Sequence, residues 1–168
     1  MKRVAAFPSV AMTPDEIKVR SGTTEDLPAV ARQYAHGDTP WDPFEDVSKL
    51  SRIPLDGLLV AEVNGEYAGF LYWLEGKRPY FDRTVDRYAN FQELHVLDRF
   101  RRRGVAKALI ERFLADAGRR GIVDAFVDTD DDNTIAQRLY ESFGFKQYRI
   151  VLHYRMRVGG NTSPSTPK

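Results

Sequence analysis

The dipeptide Asn64-Gly65 stands between two β-prone runs, LLVAEV and EYAGFLYWL. It is the dipeptide best suited to a two-residue type I′ turn, because both of its positions accept a positive φ angle. The pattern therefore predicts an antiparallel β-hairpin near the middle of the chain. With 168 residues, the chain has room for one domain with a substantial core around such a hairpin.

Weaker signals order the rest of the chain around this hairpin. Before the hairpin they predict a strand at 17–20, a helix through TTEDLPAVARQYA and a short helix at 44–51; Thr23 and Asp26 have capping-box-like spacing at the start of the first helix. After the hairpin they predict a strand in YANFQELHVL, a helix from about Gly104 and a strand in IVDAFVDT. A helix at 134–143 and a last strand in FKQYRIVLHYRM follow. Hairpins followed by a βαβ unit predict an α/β (α+β) fold, a mixed sheet covered by helices. We expect one domain at 16–158, a flexible segment at 1–15 and a disordered tail at 159–168.

Composition excludes several kinds of site. The chain has no cysteine, so disulfides, cysteine nucleophiles and thiolate metal sites are excluded, and its three histidines have no metal-ligand spacing. Twenty-five basic and 24 acidic side chains give a net charge of +1, so no overall field attracts nucleic acid or a membrane. Pro8 and Ser9 interrupt the amino terminus, and no segment approaches the roughly 20 apolar residues of a membrane span. We therefore expect a cytoplasmic protein.

Three consecutive arginines precede a glycine in FRRRGVAKALI, where a predicted strand passes through a loop into a helix. A helix start offers unpaired backbone N–H groups and the positive end of the helix dipole. Gly104 and Ala106 would let a phosphate approach that backbone closely. The pattern R-x-x-G-x-A, from Arg101, is neither a Walker loop nor a GxGxxG fingerprint. Alone, it fits an ordinary helix start beside a solvated basic loop equally well.

A second constellation follows in DTDDDNTIAQRLYESFGFK, where a strand end and an acidic turn lead into a helix. Taken alone, Asn133 could simply cap that helix, and Tyr140 could simply lie half-buried. Together, however, the two segments resemble the GNAT superfamily of N-acetyltransferases. VLDRFRRRGVAKALI resembles its acyl-CoA signature, with Ala106 where many members carry glycine, and NTIAQRLYESFGFK resembles its motif N-x-x-A-x-x-x-Y-x-x-x-G-F. The resemblance covers about residues 17–157.

This resemblance implies a mixed, mostly antiparallel central sheet flanked by about four helices. Its central strand would splay from a neighbour after Val96 and hold acetyl-CoA in the opening, without a metal. A neutral amine would attack the thioester directly, with a backbone N–H near Val96 as oxyanion donor and Tyr140 as the acid that protonates the departing thiolate. The residues implied at the cofactor are Leu94, His95, Val96, Arg101, Arg102, Arg103, Gly104, Val105, Ala106, Lys107, Asn133 and Tyr140.

The general base is left open between Glu93, Asp128 and a chain of water molecules. Glu93 shares a strand face with His95 on period-two alternation, and Asp128 ends the next strand, but each could equally be a solvated charge. FQELHV resembles a motif of polyamine-type acetyltransferases, although Gln92 stands where those often have an acid.

The acceptor pocket is expected beside two loops, HGDTPWDPFED and EGKRPYFDRTVDRY. Their acidic side chains would suit a cationic amine, or would only aid solubility. Their aromatic side chains could pack over a substrate, or equally under a loop. These residues are Asp38, Asp42, Glu45, Asp46, Trp41, Phe44, Tyr80 and Phe81.

Several functions remain to be compared. The leading hypothesis is an acetyl-CoA-dependent N-acetyltransferase that acts on a primary amine of a small molecule. The alternatives are acetylation of a peptide or protein amino group, a non-catalytic acyl-CoA-binding regulatory module, and nucleic-acid binding through the arginines, which the near-neutral net charge disfavours. We expect no membrane or nucleic-acid partner, and a homodimer is left open.

Overall fold

A computed structural model of the chain describes residues 15–34, 54–79 and 81–150. The chain divides into two compact units between Asp130 and Asp131. In the described residues, the first unit contains five strands and two α-helices, and the second contains one α-helix. The elements are β1 (Ile17–Ser21), α1 (Leu27–Tyr34), β2 (Leu58–Val63), β3 (Glu66–Lys77), β4 (Arg87–Val96), α2 (Val105–Arg119), β5 (Asp124–Val127) and α3 (Thr134–Ser142).

The five strands form one sheet in the order β1-β2-β3-β4-β5. The first three pairs are antiparallel and β4 pairs with β5 in parallel, so the predicted mixed, mostly antiparallel sheet is confirmed. Asn64 and Gly65 join β2 to β3 with φ angles of 52° and 83°. Two positive φ angles are what a type I′ turn requires, which confirms the predicted hairpin.

The sheet carries a core on both of its faces. On one face, α1 packs Leu27 and Val30 against a cluster that includes Phe70 of β3. On the other face lies α2, whose fully buried Phe113 meets Trp73 of β3 with ring centroids 5.4 Å apart. We call these the α1 face and the α2 face of the sheet.

A β-bulge in β4 changes which face its side chains occupy. Tyr72 lies opposite Glu93 whereas Trp73 lies opposite Phe91, so Gln92 is an extra residue in β4. Since strand side chains alternate between faces, one extra residue turns the rest of the strand over. Phe91 contacts Phe113 on the α2 face, and after the bulge Glu93 lies opposite a residue of the α1 face.

Beyond the bulge, β4 loses its parallel neighbour. The pairs between β4 and β5 run from Tyr88–Asp124 to Phe91–Val127, while β4 continues to Val96. The strands therefore part after Phe91, and the prediction that they part after Val96 was wrong by five residues. The cause is local, because β5 ends at Val127 and a bulged strand bends and twists away from its neighbour.

Most other predicted elements match the structure. Helix α2 ends at Arg119 and is followed by Gly121 with a φ of 71°, the expected left-handed stop. The last predicted strand is wrong where it can be checked, because residues 145–150 form no strand and are mostly exposed. The rest of that strand, the helix predicted at 44–51 and the flexible ends lie outside the described residues. None of the helices that the structure describes is long and apolar enough to cross a membrane.

Candidate functional site

The loop that enters α2 presents a row of unpaired backbone donors. In the part of the chain that the structure describes, the N–H groups of residues 102–107 donate no hydrogen bond; the first paired one is that of Ala108, which donates to the Gly104 carbonyl at 3.0 Å. Gly104 precedes the helix with a φ of 90°, and Arg102 also has a positive φ, 61°. Six free donors at the positive end of a 15-residue helix favour a bound anion.

The arginines of this loop differ in their partners. The Arg101 guanidinium donates to the Val96 carbonyl at 3.3 Å and lies 3.0 Å from an oxygen of Asp98. Arg103 donates to both carboxylate oxygens of Asp15. Arg102 is exposed, and its side chain makes no hydrogen bond or ion pair with any described residue. The structure therefore separates Arg101 and Arg103, whose guanidinium groups are held by protein partners, from Arg102, whose guanidinium has no acidic partner among the described residues.

The partner of Arg103 is itself tied to the β2–β3 turn. Asn64 donates to Asp15 at 3.2 Å and accepts from the backbone N–H of Glu16 at 3.0 Å. The hydrogen bond from Arg103 holds the pKa of Asp15 below its ordinary value, so this carboxylate stays charged at neutral pH. The loop is thus fixed to the hairpin turn, and this contact joins residues 88 positions apart that sequence reasoning did not connect.

A second pairing fixes the other end of the loop. Arg99 is paired with Glu66, the first residue of β3. The guanidinium carbons of Arg99 and Arg103 lie 4.8 and 5.4 Å from the centre of the Phe100 ring, which is 5% exposed. The contacts of these two guanidinium groups with the buried Phe100 ring stabilise the loop.

The end of β4 brings a carboxylate and an imidazole together. Glu93 Oε2 lies 3.2 Å from His95 Nε2, and each side chain is about one-third exposed, at 31% and 33%. The His95 ring stacks on Phe70 at a centroid distance of 5.1 Å, which fixes its plane on the α1 face. The predicted shared face of Glu93 and His95 is confirmed, and the bulge at Gln92 accounts for which face it is.

Two tyrosines on the α1 side, the buried Tyr72 and the half-buried Tyr67, were missed in the sequence. Tyr72 lies opposite Glu93 in the sheet, and burial, aided by the charge of Asp56, raises its pKa to about 12. Tyr67 donates to Gln33 of α1 at 2.8 Å, and burial raises its pKa as well. Both hydroxyls are therefore protonated at neutral pH. No sequence signal marks Tyr72, because its position beside Glu93 depends on the bulge.

The other predicted base, Asp128, lies beyond the last β4–β5 pair. It is exposed, and it makes no hydrogen bond or ion pair within the described residues. Of the acceptor-loop residues, Phe81 meets Phe126 of β5 with ring centroids 5.0 Å apart. The remaining acceptor-loop candidates lie outside the described residues. They are Asp38, Asp42, Glu45, Asp46, Trp41, Phe44 and Tyr80.

The second unit contains the other two predicted site residues. Asn133 caps α3 by accepting from the backbone N–H of Ala136 at 3.2 Å. Tyr140, in the last turn of α3, is half-buried and meets Phe145 edge-on at a centroid distance of 6.0 Å. The structure thus brings Glu93, His95, Val96 and the loop 101–107 together in the first unit, and Asn133 and Tyr140 lie in the second.

Comparisons with known proteins identify the family of the chain and several relatives. The family model "Acetyltransferase (GNAT) family" matches residues 23–145. The chain is 38% identical over 64 residues to the aminoglycoside N(6')-acetyltransferase type 1 of Salmonella typhimurium, which is 38% of this chain and 44% of that protein. It is 36% identical over 72 residues to the [ribosomal protein bS18]-alanine N-acetyltransferase of Haemophilus ducreyi, which is 43% of this chain and 50% of that protein. The chain thus spans about half the length, or less, of these curated relatives.

Solved structures share the fold over most of the chain. The aminoglycoside N-acetyltransferase AAC(6')-Iy in complex with CoA has a TM-score of 0.71 at 24% identity, covering 89% of this chain and 100% of that one. The same protein with the bisubstrate analogue CoA-S-monomethyl-acetylneamine has a TM-score of 0.67 at 26% identity, covering 85% and 99%. Since the family model extends over well over half of the sequence, the chain belongs to the GNAT family of acetyltransferases.

Proposed function

We propose that the chain transfers an acetyl group from acetyl-CoA to a primary amine of a small molecule, within a ternary complex. The observation that carries this proposal is the row of N–H groups from Arg102 to Lys107 that no described residue pairs, directly beside the end of β4 that has lost its parallel neighbour. A phosphate-bearing thioester fits such a surface, because its pyrophosphate needs donors and its pantetheine amides need strand-like partners.

The cofactor would lie along two backbone segments. Its pyrophosphate would accept from residues 102–107, where the exposed Gly104 and the half-buried Ala106 leave the helix start accessible and Arg101 fixes the preceding turn. Its pantetheine arm would follow Leu94, His95 and Val96, because β5 ends before this part of β4 and leaves alternate backbone groups facing away from β3. Asn133 and Tyr140, which lie in the second unit, are proposed as further cofactor-binding residues.

The reaction needs three proton or charge events. The nitrogen lone pair of a neutral amine attacks the thioester carbonyl carbon, and the resulting oxyanion accepts a hydrogen bond from a backbone N–H near Val96. The carbon–sulfur bond then breaks, and the thiolate takes the Tyr140 hydroxyl proton. The base takes the proton that the amine nitrogen gives up, and a proton from solvent restores the Tyr140 hydroxyl. The products are an amide and free CoA.

Glu93 is the better supported base. Its carboxylate is in hydrogen-bond range of His95, which is stacked in place, whereas Asp128 is exposed at a strand end. A carboxylate oriented by a second group is better placed to accept a proton, directly or through one water molecule, than one that solvent surrounds. Tyr72 lies opposite Glu93 and is protonated, so it adds no charge beside the Glu93 carboxylate.

A small-molecule acceptor is supported by the relatives whose names specify aminoglycosides. The second candidate is the amino group of a peptide, since another relative is named as an alanine N-acetyltransferase of a ribosomal protein. The test is release of CoA thiol from acetyl-CoA across aminoglycosides, polyamines and a peptide with amino-terminal alanine. Turnover with the small amines alone supports the proposal. Turnover with the peptide alone would contradict it and support the second candidate function instead. Tight CoA binding without turnover on any amine would instead indicate a regulatory module.

A further inference from the structure

Part of the α1 face of the sheet extends beyond the residues that α1 covers. The buried cluster under α1 includes Phe70 and Tyr72 of β3. Leu74, the next residue of β3 on that face, is not a member of this cluster and is 36% exposed. In the strands that the structure describes, no other large apolar residue is as exposed. This end of the face therefore offers apolar surface to a ligand.

Two aromatic rings continue this surface onto β4 and β5. Leu74 lies opposite Asn90, which in turn pairs with Phe126 of β5. The Tyr88 ring lies against Gly76, where an added Cβ would come 2.3 Å from it, and it meets Phe126 edge-on with ring centroids 5.5 Å apart. Tyr88 and Phe126 are each half-buried. We call Leu74, Tyr88 and Phe126 the apolar patch, with Asn90 at its centre.

The polar groups of this face lie at the centre of the apolar patch and at its ends. Asn90 is half-buried, and its side-chain amide makes no hydrogen bond with any described residue. Glu93 follows three residues later on the same face, so it lies no more than about 10 Å further along the strand. Strand alternation places Asp124 and Asp128 on this face too, one at the start of β5 and one just beyond its end. An apolar surface with one open amide and a carboxylate at its edge is the usual composition of a small-molecule site.

We infer that the acceptor is an arylalkylamine, a primary amine that a short chain joins to an aromatic ring, and that its ring lies on the apolar patch. This inference rests on the proposed function, because it places the acceptor nitrogen beside Glu93. The ring would then meet Tyr88 and Phe126 in the offset or edge-on arrangements that aromatic pairs prefer. A polycationic amino sugar fits this face poorly, since its ammonium and hydroxyl groups would lose water above apolar side chains that cannot replace it.

The experiment measures CoA thiol release with three acceptors: 2-phenylethylamine, ethylamine and the amino sugar neamine. Ethylamine has the same reacting group without the ring. Burial of one aromatic ring predicts a kcat/KM for 2-phenylethylamine that is on the order of 10- to 100-fold above that of ethylamine. We also expect it to exceed the kcat/KM for neamine.

Variants of the apolar patch locate the effect. Leu74→Ser should raise KM for 2-phenylethylamine by about three- to tenfold and leave KM for ethylamine unchanged, because only the ring loses a contact. Asn90→Leu should lower KM for 2-phenylethylamine by about threefold, because it extends the apolar surface. The matched control is Val123→Ser, which removes an apolar side chain that is 91% exposed and lies outside the patch. It should change neither KM.

The outcomes separate this inference from the proposed function. Equal kcat/KM for 2-phenylethylamine and ethylamine, or a higher value for neamine, would overturn the inference while leaving the acetyl transfer in place. An unchanged KM for 2-phenylethylamine in Leu74→Ser would overturn it as well. Absence of thiol release with every amine would instead refute the proposed function itself.

Discussion

Gly69 of β3 is the position where one added methyl group would test the proposed oxyanion site. Gly69 is buried and lies opposite Val96, the last residue of β4. A Cβ at Gly69 would lie 2.2 Å from the His95 carbonyl oxygen and 3.0 Å from the Cα of Val96. Both neighbours are backbone atoms, so they cannot avoid the methyl group by rotating a side chain.

A methyl group at Gly69 would displace the β4 backbone. A carbon and a carbonyl oxygen in contact lie at least about 3.3 Å apart, so the β4 backbone must move by about 1 Å. A misplacement of that size in a catalytic group costs on the order of 10²-fold in rate. Overpacking costs about 1–3 kcal/mol of folding free energy, which lowers the Tm of a chain of this length by roughly 2–12 °C.

The assay is CoA thiol release with a saturating amine, together with thermal unfolding of the same preparation. Gly69→Ala should fold and lose about two orders of magnitude in kcat. The matched control is Gly118→Ala in α2, where an added Cβ meets no atom within 4 Å. It should stabilise the helix by about 0.5–1 kcal/mol and leave kcat unchanged. Full kcat in a folded Gly69→Ala protein would refute the role given to the backbone near Val96.

The other predictions concern single side chains. Tyr140→Phe should lower kcat by about 10²-fold or more without weakening acetyl-CoA binding, and unchanged turnover would remove it from the mechanism. Glu93→Gln should lower kcat/KM, whereas Asp128→Asn should leave kcat/KM unchanged; the reverse pattern would exchange their roles. Because hydrogen bonds from Arg20 lower the pKa of Asp26, that carboxylate stabilises the fold above its unfolded pKa of about 4 and loses this effect as pH falls through its folded pKa. In urea unfolding, Asp26→Asn should therefore be less stable at pH 7 and less sensitive to acid, and an unchanged acid response would contradict this.

Local sequence signals predicted the elements that local physics determines. The Asn64-Gly65 turn has the two positive φ angles that its residue types favour, and α2 ends at Arg119 before Gly121, as glycine at a helix end indicates. Asn133 caps its helix, the structural role that its residue type favours. Each of these features is decided within a few residues of chain, so a single sequence contains the necessary information.

The bulge at Gln92 could not be predicted in the same way. A bulge is a mismatch of register between two strands, and no residue in FQELHV marks it. Its consequence is large, because it turns Glu93 and His95 from the face of Phe91 to the face of Phe70. Alternation alone predicted that Glu93 and His95 share a face, and the register of β3 was needed to identify which one.

The ion pairs of the arginines could not be predicted from the sequence either, and they reduce the positive charge that the cluster can offer to a ligand. Arg99 and Arg103 meet acids 33 and 88 residues away, distances over which one sequence predicts no contact. With these pairs and that of Arg101 formed, Arg102 is the one arginine of the loop without an acidic partner among the described residues. Binding of a long polyanion gains affinity from each phosphate that a cation neutralises, so one free cation gives it little. Directed backbone donors, by contrast, hold a small anion through geometry, and six of them begin at Arg102. The arrangement therefore favours one compact phosphate-bearing ligand over a nucleic acid.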